Sequence, residues 1–145
     1  MDALDLPPVW TVLFGMIAFG LSSILPIWTF AFGPGLGVGL MLAGVALIVW
    51  AAIWFRRMGT PIEPRNTPSA LLVEGPYRLN RNPIYTGMTV VLIGWALILG
   101  TLSALILALL FPLIMTYRFV LGEEEGLRQT FGAKAEAYFA RTRRW

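Results

Sequence analysis

The 145-residue chain contains no cysteine and no histidine. Without thiols it can form neither a disulfide nor a thiolate metal site. Without imidazole it lacks the commonest metal ligand and the commonest general base. Lysine is nearly absent as well, one against ten arginines. Charge is missing over long stretches: Leu6 to Phe55 carries none, and neither does Asn82 to Tyr117. Only 13% of the residues are charged, against about 25% in an ordinary soluble domain. Any chemistry therefore falls to carboxylates, phenols, guanidinium groups, the single lysine or the backbone, and no metal site is expected.

What is present is apolar. Hydrophobic residues make up 57% of the chain and the mean hydropathy is +0.72. A helix crossing a bilayer needs about 20 mostly apolar residues. The first uncharged run has room for two spans and a turn; the second has room for two short spans and a tight turn. The expected fold is an all-α integral membrane protein, one domain over residues 1–145. It has about four transmembrane helices, near 8–31, 36–57, 83–99 and 102–121. A long cytoplasmic loop covers 58–82, and a C-terminal amphipathic segment covers 122–145. Pro7 and Pro8 suit the start of the first helix, Pro26 predicts a kink near its end, and Pro112 predicts one in the fourth. The first helix reads as a span, not a removed signal peptide, because it has no charged n-region and no small-residue cleavage site. Gly35-x-x-x-Gly39 and Gly39-x-x-x-Ala43 mark the second helix for close packing. Leu127, Phe131, Ala135 and Tyr138 recur at helical spacing, so the C-terminal segment should lie on the membrane or against the loop.

All eleven basic residues fall in two blocks, Arg56 to Arg81 and Arg118 to Arg144. With four spans both blocks share one side, while the connections on the other side carry no charge. Basic residues stay cytoplasmic, so both termini should be inside. The arginine bias suits a GC-rich bacterial genome, hence a multi-pass protein of the bacterial inner membrane. A nucleic-acid partner is not expected, because the basic residues flank spans and no soluble domain remains to carry a binding face.

Between the two apolar runs lies GPYRLNRNPIYTG, residues 75–87. Asn82 and Tyr85 are three apart and share a face at a helix start. The free N–H groups there attract a negative group, and Arg78 and Arg81 add positive charge. Glu123 and Glu124 emerge past the fourth helix on the same side of the membrane. Taken singly, the arginines also fit interfacial anchors, and Tyr77 and Tyr85 fit an aromatic belt. Together they offer an anion-binding wall and a carboxylate wall. A zwitterion with a sugar diol, such as S-adenosylmethionine, is complementary to that pair.

These residues resemble the isoprenylcysteine carboxyl methyltransferase and phospholipid methyltransferase superfamily of integral membrane enzymes. Its pattern G-P-Y-R-x-x-R-H-P-x-Y-x-G, a helical hairpin, and then E-E-x-x-L-x-x-x-F-G-x-x-Y-x-x-Y is met from Gly75 to Gly87 and from Glu123 to Tyr138. Asn82 stands where the family has histidine, Ala135 where it has the first tail tyrosine, and Arg143 where a proline often precedes the final Arg-Trp. Asn82 can hydrogen-bond but cannot titrate. The resemblance implies a membrane methyltransferase that consumes S-adenosylmethionine and releases S-adenosylhomocysteine. It places Tyr77, Arg78, Arg81, Asn82, Tyr85, Glu123 and Glu124 around that cofactor. Glu123 is also a candidate catalytic residue, with Arg118, five positions earlier, able to orient an anionic acceptor. The acceptor is expected to be a hydrophobic small molecule or lipid arriving from the bilayer: an isoprenylcysteine-type carboxylate, a lipid amine, or a small thiol or acid. Such acceptors already carry a lone pair or a negative charge, which suits a chain without a histidine base. The alternative is a non-catalytic membrane protein of the same fold that binds lipid or a partner.

Overall fold

The computed structural model describes residues 6–31, 33–60 and 69–145. It is all-helical, and among the described residues the only β pairing is an isolated bridge between Thr29 and Thr101. The helices are α1 (Pro7–Ile24), α2 (Pro34–Arg57), α3 (Pro83–Leu99), α4 (Leu102–Met115), α5 (Leu121–Phe131) and α6 (Ala133–Arg141), with a 3-10 turn at Gly75–Arg78 and a π-helical turn at Thr116–Val120. Three helical runs are long and apolar enough to cross a membrane: Pro7–Ile24, Pro34–Arg57 and Leu102–Phe131. The fourth, α3, has 17 residues, about 25 Å at 1.5 Å per residue, against a hydrocarbon core of about 30 Å.

Each helix starts and stops for a local reason. A proline occupies the first turn of α1, α2 and α3, where its missing N–H has no intrahelical partner to lose. The first span, expected to reach residue 31, ends at Ile24. Pro26 disfavours helical geometry at Leu25 and would lose its own ladder bond, so the chain leaves the helix where only a kink was anticipated. The released strand-like segment is used. Phe30 N–H donates to Gly100 O at 2.8 Å and Leu102 N–H to Trp28 O at 2.9 Å, clipping the α1–α2 connection to the α3–α4 turn at the uncharged end of the bundle.

The fourth helix does not stop near residue 121. It runs on through the π-helical turn into α5. Pro112 lies inside α4, and the Thr116 hydroxyl returns to its carbonyl at 2.7 Å. The helix breaks at Gly132, whose φ of 52° and ψ of −124° suit a residue without a Cβ. The C-terminal segment is therefore two helices, and α6 packs inward, with Ala135 and Tyr138 buried. Of the long loop, residues 61–68 lie outside the described residues. Its second half docks: Leu72 joins Ala51 and Tyr77 in a small apolar cluster under Trp54 and Phe55.

α3 is the centre of the bundle, touching α1, α2 and α4. The α2–α3 contact is the most extensive, and glycines make it possible. A Cβ on Gly37 would sit 2.5 Å from Gly94 O, and one on Gly94 2.5 Å from Gly37 O. Gly44 and Gly87 oppose each other in the same way at 2.6 and 2.7 Å. Two antiparallel helices thus meet at two reciprocal glycine pairs, seven residues apart on each helix. The expected contact through Gly35 and Gly39 is not made, since a Cβ at either meets nothing within 4 Å. The small-residue signal was right for the helix and wrong for the face.

Gly94→Ala and Gly87→Ala should each destabilise the protein by about 1–3 kcal/mol, because backbone must move to admit a methyl group. Gly39→Ala should stay within about 0.5 kcal/mol of the parent. Thermal unfolding in detergent reads both, and equal effects at Gly39 and Gly94 would contradict the assigned contact face.

Candidate active site

Every charged residue described falls at the end of the bundle where α2 finishes and α3 begins. The 3-10 turn Gly75–Arg78 carries Tyr77 inward, edge-on to Phe55 with ring centres 5.7 Å apart. Its backbone carbonyl accepts a hydrogen bond from the Tyr138 hydroxyl at 2.8 Å, which fastens α6 to the turn. Its own hydroxyl is buried with no hydrogen-bond partner among the described residues. Burial pushes the Tyr77 phenol well above its ordinary pKa, helped by nearby Tyr138 and Glu123, so it stays neutral. The Tyr138 phenol is pushed up to about 12, chiefly by burial, against the opposing pull of Arg81 and Arg141.

One turn into α3, the Tyr85 hydroxyl donates to Glu123 Oε1 at 2.5 Å, and the Tyr85 ring stacks on Phe119 from the π-helical turn. Arg118 lies on the exposed side of that turn, its guanidinium 5.4 Å from the Phe119 ring centre. Adjacent residues on a helix diverge in direction, so Glu124 faces elsewhere. Its carboxylate, 3% exposed, accepts from Arg144 Nε and Nη2, both at 2.8 Å, and lies 3.3 Å from Arg81 Nη2. That hydrogen bond to Glu124 raises the Arg144 pKa further. Arg81 also sits 4.6 Å over the Phe139 ring. Asn82 is buried, and its amide donates to Arg144 O at 3.0 Å.

Beside this cluster opens a cleft of about 470 Å³ lined by Val73, Glu74, Arg78, Arg141 and Thr142. Glu74, Arg78 and Arg141 are exposed and have no ion-pair partner among the described residues. The cleft is within the usual range of about 300–1,000 Å³ for small-molecule sites, and its rim carries charge of both signs, one carboxylate and two guanidinium groups.

The match to a family model decides the lineage: the phospholipid methyltransferase model covers residues 33–134, more than two thirds of the chain. The chain belongs to the phospholipid methyltransferase family. No curated protein and no solved structure matches it. In this family member Tyr85 and Glu123 are joined by a hydrogen bond, Tyr77 lies near enough for Glu123 to act on its phenol, and Arg118 sits beside Phe119. Arg78 lines the cleft. Arg81, Asn82 and Glu124 are instead occupied with the C-terminal residues. Glu74, Arg141 and Thr142, which line the cleft, and Arg144 were not legible as site residues. The tail arginines carried a topological signal and a place in the family's final Arg-Trp, neither of which names a partner, and the partners of Arg144 stand 20 and 62 residues away in sequence.

Tyr85→Phe leaves the Glu123 carboxylate without its donor and should cost about 1.5–3 kcal/mol of stability. Tyr77→Phe removes a buried hydroxyl with no hydrogen-bond partner among the described residues and should be neutral or stabilising by up to about 1 kcal/mol. Denaturation of the two variants side by side checks this; comparable losses would reveal a partner for the Tyr77 hydroxyl.

Proposed function

We propose that the protein is an S-adenosylmethionine-dependent membrane methyltransferase acting on a hydrophobic, lipid-like acceptor. The observation that carries the proposal is the cleft lined by two guanidinium groups and a carboxylate that have no ion-pair partner among the described residues. Arg78 and Arg141 match the carboxylate of the cofactor's amino-acid end, and Glu74 matches its ammonium or ribose diol. The residues present fit the group on charge and on cleft size.

S-adenosylmethionine, when bound, supplies a methyl carbon already activated by a sulfonium. What remains for the protein is to position the acceptor and exclude water. The Tyr85 hydroxyl fixes Glu123 through Oε1, and Oε2, which has no hydrogen bond among the described residues, can take a proton or hydrogen bond from the acceptor. The neutral Tyr77 hydroxyl can donate to it. Arg118 suits an acceptor with a negative head. An apolar groove of about 600 Å³ between α1 and α2, floored by Val91, Leu92 and Trp95, supports lateral entry of an acceptor's hydrocarbon part. The basic end of the bundle is taken as cytoplasmic.

Calorimetric titration of the detergent-purified protein should show binding of both S-adenosylmethionine and S-adenosylhomocysteine. Arg78→Gln and Arg141→Gln should each weaken it about 10-fold, the worth of one charge-assisted hydrogen bond. No heat from either ligand would favour the non-catalytic, lipid-binding alternative. For the orientation, Ser69→Cys and Trp28→Cys should react with impermeant reagents from opposite sides of sealed vesicles, Ser69→Cys from the cytoplasmic side. Labelling from one side would remove the four-span arrangement.

A further inference from the structure

We infer that Asn82 and Glu124 serve the cleft from a distance, as positioning residues that pin the C-terminal strap Thr142–Trp145 and thereby hold the Arg141–Thr142 wall in place. The inference rests on the reading of the cleft as the cofactor site. One wall of the cleft, Val73, Glu74 and Arg78, comes from the loop and 3-10 turn; the other, Arg141 and Thr142, comes from the end of α6. After Arg141 the chain turns extended, with Thr142 at φ −126° and ψ 129°, and no further helix holds it. Thr142 N–H still caps α6 by donating to Tyr138 O at 3.0 Å; beyond it, what holds the strap among the described residues is a set of contacts to residues 81, 82 and 124. Arg81 N–H donates to Arg143 O at 2.8 Å, the Asn82 amide donates to Arg144 O, and the Arg144 guanidinium grips both oxygens of Glu124. Arg81 Nη2 supports the same carboxylate.

Two features favour this role over direct contact with a ligand. Both Glu124 oxygens already accept from guanidinium groups, and the carboxylate is almost wholly buried. Asn82 and Glu124 do not line the cleft. An amide at position 82 suits this role, since the task is to donate to a backbone carbonyl and needs no titrating group.

The test compares full-length parent, Asn82→Ala, Glu124→Gln, Arg144→Gln, Arg144→Lys and the Glu124→Gln/Arg144→Gln double variant. One arm is limited trypsin digestion without ligand, reading cleavage after Arg141 and Arg143 by mass spectrometry. The other is S-adenosylhomocysteine affinity by calorimetry. The strap should be cut several-fold faster in Asn82→Ala and at least about 10-fold faster in Glu124→Gln and Arg144→Gln, since each of the latter breaks a buried ion pair. Affinity should fall about 10-fold in Glu124→Gln and in Arg144→Gln, and no further in the double variant, because both changes sever one link. Arg144→Lys keeps the charge and should recover part of the affinity. Losses that add in the double variant, or a loss in Glu124→Gln with none in Arg144→Gln, would make Glu124 a direct ligand and overturn the inference. So would a released strap with parental affinity. Asn82→Ala removes a single neutral hydrogen bond and keeps the test decisive if Glu124→Gln fails to fold. A parent that binds no S-adenosylhomocysteine overturns the cofactor reading of the cleft itself; a parent that binds while every variant binds equally overturns only the strap.

Discussion

A carboxylate buried at the charged end of an apolar bundle, Glu124, ties together three stretches of chain that share no local connection. It sits on the run that continues α4, receives Arg81 from the segment leading into α3, and receives Arg144 from the tail. A buried carboxylate is tolerated only when its lone pairs are matched by well-placed donors, so the three stretches must arrive together. Once they do, Tyr138 can reach the Tyr77 carbonyl, the 3-10 turn and α6 face one another, and the cleft exists between them. The Arg144 side is about one-third exposed, which lets water share part of the load and makes that member of the cluster the softest.

The apolar half of the molecule obeys a different constraint. Lipid tails are as apolar as leucine, so helices in a bilayer gain little from burying such residues and rely on close van der Waals packing. The reciprocal glycine pairs of α2 and α3 supply that packing, backbone against backbone. They also fix the depth at which α3 begins, and hence where Tyr85 stands. On the opposite side, Phe14 meets Phe111 edge to face at 5.1 Å and Trp95 donates to Gly15 O at 3.1 Å, so α1 is held by aromatic contacts and one hydrogen bond to backbone. The short α3 is the element most enclosed by the others, which suits a helix shorter than the hydrocarbon core.

The π-helical turn Thr116–Val120 joins these halves. Such turns are frequent at functional sites, and here one follows the internal Pro112 by a single helical turn. It carries Arg118 and Phe119 and leads directly to Glu123 and Glu124. Neighbouring carboxylates consequently have different partners: a phenol for the first, two guanidinium groups for the second. The chemistry proposed for Glu123 and the anchoring proposed for Glu124 follow from that division.

The sequence by itself determined the helical, membrane-spanning character, the position of α3 to within a residue, the gathering of charge at one end, and the family. These are local properties: a helix satisfies its own backbone within four residues, so composition, prolines and periodicity suffice to read it. Each half of the family motif is likewise contiguous, and together they pointed to Tyr77, Arg78, Arg81, Asn82, Tyr85, Glu123 and Glu124 without separating them by role. Only the tertiary structure decided which glycines of α2 touch α3, that α1 ends before Pro26, that Glu124 and Asn82 face the tail, and that Glu74, Arg141 and Thr142 line the cleft. Each of those depends on which side chains meet across tens of residues. Hydrogen bonds and ion pairs of that kind are short-range and directional, and no spacing along the chain encodes their partners.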